Sequence, residues 1–448
     1  MRCSLLGLSL LATTALAHGQ SLFDVLNFRG SEKGGFGLYG VSVFSGTYVE
    51  SSPYVLPSVG QAEQNITYGA AGSVGWQRHS EDINAGVLYS GSYGGVAQDS
   101  SLNSYSQSLG ASVNFKLARK WTATISVAAQ DTALDQSLFQ PLGLSVISQV
   151  PATVSDFGAA LGIGQFSSPQ VASTLQQGAP LLQSPLTTAL LGSKVLSYSG
   201  QISAYYAYSP RLSFYFGGFS GGGENRYGDQ SNASVPNYVM PRTMGANAGV
   251  GFSYSLAQNT QMGVSFGEIF VRNNFEESYA SSATISLGTK FGRRWFLGLS
   301  AGTSRANFIR ETYVGAKPVP VVASASLGVK FRSQTLAASY SLAASDVFGF
   351  AVSNNSAVNG SWSWRRPGSI MGVFAGFGSE QIRNAGFISM SGWQGSAGTS
   401  ITLSRQSALS LQYVYLDSAS SFVTGGPTKI KMQSARASLS WSPTQVRR

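Results

Sequence analysis

Apolar and small polar residues alternate along most of the chain. In TMGANAGVGFSYSL (243–256), Met244, Ala246, Ala248, Val250, Phe252, Tyr254 and Leu256 share one parity, and the other holds only Gly, Ser, Thr and Asn. Successive side chains of a strand point to opposite faces, so this segment is a strand with one apolar and one small, polar face. The scheme recurs in 65–77 (Ile66, Tyr68, Ala70, Val74, Trp76), in 104–117 (Tyr105, Leu109, Ala111, Val113, Phe115, Leu117) and in 121–130 (Trp121, Ala123, Ile125, Val127). It returns in 197–208, 281–291, 321–332 and 335–342. Each segment has about the 9–11 residues that a tilted strand needs to cross the hydrocarbon of a bilayer.

Connections between these segments come in two kinds. Short links fall at 78–82, 118–120, 209–211, 257–260, 292–294, 332–334, 365–368 and 405–407. Longer polar ones lie at 49–64, 94–103, 131–196, 220–242, 273–280, 305–320, 346–354, 380–387 and 419–429. Strict alternation of the two predicts an all-β, transmembrane, antiparallel up-and-down β-barrel of about eighteen strands, with sixteen as the alternative count. The barrel runs from 36 to 441, with both ends on the short-turn, periplasmic side. No repeated motif accompanies the spacing, which excludes a solenoid. Glu268, Lys431 and Gln433 fall on the apolar parity, and the pattern changes phase near Gly392. The expectation is that the charges sit beyond the hydrocarbon or that bulges reset the phase.

Composition separates lipid from a soluble core as the destination of the apolar face. Charged residues are 11% of the chain, against roughly 25% in a soluble domain. A soluble sheet of this extent needs a charged outer face to guard its edges. MRCSLLGLSLLATTALA places Arg2, an apolar run from Leu5 to Leu16 and an A-x-A site in the order of a secretory signal peptide, cleaved between Ala17 and His18. The expected organisation is a signal peptide at 1–17, a short periplasmic segment at 18–35, the barrel at 36–441 and a tail at 442–448. The segment preceding the first strand is too short for the plug of a TonB-dependent transporter. Cys3 leaves with the signal, so neither a disulfide nor a cysteine metal site is expected.

Nine aromatics flank short turns, where a periplasmic girdle belongs: Trp76, Phe115, Trp121, Phe291, Trp295, Phe331, Trp362, Trp364 and Trp441. Loss of Arg2 leaves 28 basic and 19 acidic residues. No nucleic-acid motif accompanies the charge, so it does not indicate that partner. Lys116, Lys290, Arg294, Lys330 and Arg436 take the inward parity and are the candidate pore-lining cations, and no clear inward carboxylate lies within the strands. A positive lumen with low-dielectric walls favours anions; pairing with loop carboxylates or anchoring to lipid headgroups is the alternative use of these cations. No catalytic or metal-binding constellation is present: His18 and His79 stand apart, and no HExxH motif or phosphate-cradling loop occurs. The protein is therefore read as a non-enzyme without cofactors.

By architecture the chain resembles the bacterial outer-membrane porins across nearly all of 18–441. Trp441 stands where such barrels end on an aromatic recognised by the assembly machinery, although Ser442 to Arg448 follow it. The resemblance implies a channel for passive diffusion of small hydrophilic solutes in the cell outer membrane, and the inward cations add a weak anion selectivity. Its partners would be outer-membrane lipid and lipopolysaccharide, the barrel-assembly machinery and small polar or anionic solutes, with a homo-oligomer as an open alternative. The 131–196 connection is the third long loop, which in classical porins narrows the pore. Its VSDFGAALGIG and SPQVASTLQQ stretches could each begin a short helix, capped at Ser155 and at Ser167 or Ser168. It is also apolar enough to suit the competing reading, a plugged or closed barrel with a structural, adhesive or ligand-binding role through its long loops.

Overall fold

In the computed structural model, the described residues are 35–51, 63–97, 104–133, 194–226, 243–272, 276–292, 294–311, 320–347, 351–385, 388–404, 406–422 and 425–441. The expected signal peptide at 1–17, most of the third long connection and residues 442–448 lie outside them, as do the two helices expected in that connection. The described chain forms eighteen strands: β1 (Gly35–Ser51), β2 (Glu63–His79), β3 (Ile83–Val96), β4 (Ser104–Ala118), β5 (Trp121–Ala133), β6 (Lys194–Ala207), β7 (Leu212–Arg226), β8 (Thr243–Ala257), β9 (Thr260–Arg272), β10 (Glu276–Phe291), β11 (Trp295–Glu311), β12 (Val321–Lys330), β13 (Gln334–Val347), β14 (Ala351–Arg365), β15 (Met371–Ala385), β16 (Ile388–Thr402), β17 (Ser407–Phe422) and β18 (Gly425–Trp441). Each pairs antiparallel with its neighbours in sequence, and β1 pairs with β18 to close the sheet. Closure removes every sheet edge, the condition for a sheet to stand in lipid. Even β12, at ten residues, rises roughly 25 Å at a tilt near 40°, the height of the apolar band.

Register carries one phase around the wall. Ile125 lies opposite both Val113 and Ile202, and Val250 opposite both Phe216 and Phe266. These large side chains are exposed, Ile202 at 57% and Val127 at 55%, because nothing but solvent or lipid faces them. The other phase is small and hydroxyl-rich. Ser213 bonds Ser253 at 2.7 Å, Gln261 donates to the same Ser253 oxygen at 2.9 Å, and Ser300–Ser324 and Ser410–Ser438 pair at 2.7 and 2.6 Å. Such cross-strand pairs let the inner wall satisfy its own polar groups.

The structure revises the expected connections. Pairing continues past the segments long enough to cross lipid, so 273–280, 346–354, 380–387 and 419–429 shrink to 273–275, 348–350, 386–387 and 423–424. The physical reason is that backbone hydrogen bonds reward continued pairing after the membrane no longer demands it. The expected bulge at Gly392 is absent. β16 pairs through that residue without a shift, and the irregularities nearest to it fall at Ile382/Ala385 and Ser420/Phe422. Nor does a bulge return Glu268 to the inner phase. It stays outward and exposed, opposite Ala248 and Ser281, near the long-loop end of β9. Lys431 and Gln433 are also outward, Lys431 opposite Asp417, and Tyr413 Oη donates to Gln433 Oε1 at 3.1 Å.

Candidate lumen and rim

Four of the five candidate pore cations lie in strands, on the phase opposite the exposed apolar residues. Lys116 stands two residues from the end of β4, opposite Thr122, and is exposed. Lys290 ends the inner phase of β10, and its Nζ lies 5.2 Å from the ring centre of Phe296 directly opposite. Lys330 is the last residue of β12, opposite Thr335. Arg294 differs: it sits in the turn between β10 and β11, with its guanidinium 5.7 Å from the ring centre of Phe331 on the rim. A turn residue escapes strand parity, which is why alternation alone assigned it inward.

Arg365 is an inward cation that the sequence reading assigned to a short turn. It is the last residue of β14, in phase with Ser361 and Ser363, and its Nη2 donates to Thr402 Oγ1 at 3.3 Å. Alternation carried one residue past Trp364, which shares the outward phase of Trp362, would have placed 365 on the inner phase. The backbone register carries Glu380 in the inner phase opposite Ala357 and Gly392, and pairs Glu63 with Glu50 in that phase. These positions lie toward the long-loop end, where the strands outrun their expected limits.

Arg436 stands apart from the rim. It lies five residues before Trp441, roughly 13 Å up a tilted strand and near the middle of the apolar band. Its guanidinium carbon is 3.8 Å from the ring centre of Phe44. Gly46 is directly opposite Arg436, and a Cβ there would meet the backbone of Ala435.

All nine girdle candidates take the outward phase or its extension at the short-turn end. Trp121 stacks on Tyr206 at 4.6 Å, and Phe291 on Trp295 at 6.2 Å. Lys120 donates to the Tyr208 carbonyl at 2.9 Å, tying two short turns together. Among the described residues, no group of three or more His, Cys, Asp or Glu could hold a metal.

An even-numbered, closed antiparallel barrel with large apolar residues outside and mostly small polar residues inside defines the class: a transmembrane β-barrel. No protein-family profile matches the sequence, and no curated protein matches it. Solved structures of similar architecture include OccAB4 of Acinetobacter baumannii (8% identity, 93% of this chain and 100% of that one, TM-score 0.43). OpdL of Pseudomonas aeruginosa is similar at 9% identity over 91% and 98% of the two chains, TM-score 0.42. The outer-membrane protein OpdK of the same organism is similar at 10% identity over 90% and 99%, TM-score 0.41.

Proposed function

We propose that the protein is an outer-membrane channel for passive diffusion of small hydrophilic solutes, with a weak preference for anions. The observation that carries this reading is the inner phase of an eighteen-stranded wall. Barrels of sixteen to eighteen strands leave an aqueous channel, and the inner phase of this one is rich in Ser, Thr, Gly and Asn, with apolar side chains such as Ile269, Val271, Phe296 and Val322 among them. The charged side chains described on that phase are Lys116, Lys290, Lys330, Arg365 and Arg436. Low-dielectric walls focus their positive potential onto the water between them. Short turns and aromatics at one end give the orientation, with that end periplasmic. Export by the signal peptide, insertion by the barrel-assembly machinery and contact with lipopolysaccharide belong to the same reading.

The test is conductance of the purified protein in planar bilayers, with reversal potential measured across a KCl gradient. Stable steps and an anion-side reversal potential are expected. Replacing Lys116, Lys290, Lys330 and Arg365 together with Gln should move the reversal potential toward cations while steps persist. Absence of steps at any applied voltage would overturn the channel in favour of a closed barrel that works through its surface.

A further inference from the structure

Three inward rings lie over glycines directly opposite them on the next strand. Phe44 of β1 faces Gly69 of β2, Tyr215 of β7 faces Gly251 of β8, and Phe374 of β15 faces Gly398 of β16. In each pair the ring occupies the space that a Cβ on the glycine would need. At Gly69 that Cβ would collide with Phe44 Cζ and equally with the Tyr93 carbonyl, at Gly251 with Tyr215 Oη and the Val264 carbonyl, and at Gly398 with Phe374 Cζ and the Leu411 carbonyl. A glycine in a strand interior weakens the strand unless another group approaches closely. Here the approaching group is a ring folded onto the wall, which keeps it out of the space enclosed by the barrel.

One joint carries a charge. The ring of Phe44 has Gly69 beneath it and the guanidinium of Arg436 above, 3.8 Å from its centre. Arg436 reaches it from β18, which flanks β1 on the side away from β2. The order Gly69, Phe44, Arg436 therefore crosses the seam where the barrel closes. Arg436 is also the described inward cation farthest from the short-turn rim. The side chain of Arg436 is long, and the place of its charge depends on what its guanidinium rests against. A flat aromatic face gives it a resting place, through the attraction of a cation for the ring quadrupole.

We propose that Gly69 and Phe44 are positioning residues that station the Arg436 guanidinium against the wall at mid-depth, and that this stack sets the ion preference of the channel. The proposal rests on the channel reading above. Anions crossing the middle of the lumen meet one fixed cation there, whereas the rim lysines act at the short-turn mouth. Gly398 and Phe374 form the same joint with no cation stacked on the ring among the described residues, and serve as the internal control.

The experiment measures single-channel conductance and reversal potential in a KCl gradient for the full chain and for Arg436→Gln, Gly69→Ala, Phe44→Leu and Gly398→Ala. Arg436→Gln should lower the anion-to-cation permeability ratio about fourfold, since one unit charge roughly 10 Å away through water attracts an anion about twofold and repels a cation about twofold. Gly69→Ala and Phe44→Leu should lower the ratio comparably although the arginine remains. Gly398→Ala should reduce conductance, as its ring swings inward, with the ratio unchanged. Wild-type ratios in Phe44→Leu, or in Arg436→Gln, would overturn the positioning role, and Phe44→Leu decides the matter if Gly69→Ala fails to assemble. A shift in Gly398→Ala equal to that in Gly69→Ala would overturn it too, since the effect would then belong to any such joint. A wild-type protein that never conducts removes the channel reading and this one together, an outcome distinct from a conducting channel with unaltered variants.

Discussion

Gly292 and Gly368 sit in short turns with φ of +63° and +81°, a left-handed conformation that side chains other than glycine adopt at a cost. A Cβ at either position would meet nothing within 4 Å, so backbone strain alone would act there. Gly368→Ala is expected to lower stability by about 1 kcal/mol, read as a reduced urea midpoint of the protein folded into lipid vesicles. At Glu268 the sign reverses. The carboxylate is exposed on the outer phase, between Ala248 and Ser281. Glu268→Leu should leave stability unchanged or raise it by about 1 kcal/mol, since an acidic side chain on the lipid face costs little near the interface and more with depth. The same vesicle titration measures it.

At the level of the strand, the two phases of β6 make opposite demands. Ile202 is outward, 57% exposed and five residues from the short-turn end of its strand, near mid-membrane. Ser203, its neighbour, takes the inner phase opposite Thr124 and Gly217. Ile202→Arg should therefore destabilise the folded barrel by about 2–4 kcal/mol, the cost of a cation at the midplane of the lipid face. Ser203→Arg should cost far less, because its charge would enter the hydrated interior. Equal losses in the two variants, measured by equilibrium unfolding in vesicles, would show that the outer phase does not face lipid.

For the molecule as a whole, closure is the decisive event. β1 and β18 come from opposite ends of the chain and pair from Val41 with Trp441 through Ser51 with Lys431. Their contact sets the Phe44–Arg436 stack as well as the absence of edges. Removing residues 425–441 would leave β17 and β1 each with an unpaired ladder, which hydrocarbon does not tolerate. That deletion is expected to abolish the folded, membrane-inserted form. Loss of the compact species that migrates faster in electrophoresis before heating would report it.

Alternation by itself determined the all-β barrel, because lipid and a wet interior impose a period of two that survives in the sequence wherever a strand crosses. It marked the outer phase, the aromatics beside several short turns and four cations on the inner phase, since those depend only on counting residues from a turn. Where counting begins to fail, pairing decides. Strand ends lengthen at 380–385 and 419–422 because neighbouring strands supply hydrogen bonds that local composition does not record. Arg294 leaves the lumen phase because it belongs to a turn, and Arg365 joins it because β14 runs one turn residue further. The meeting of Gly69, Phe44 and Arg436 is beyond any local pattern. Gly69 and Phe44 lie near one end of the chain and Arg436 near the other, and only the register of the closing seam brings the guanidinium over the ring.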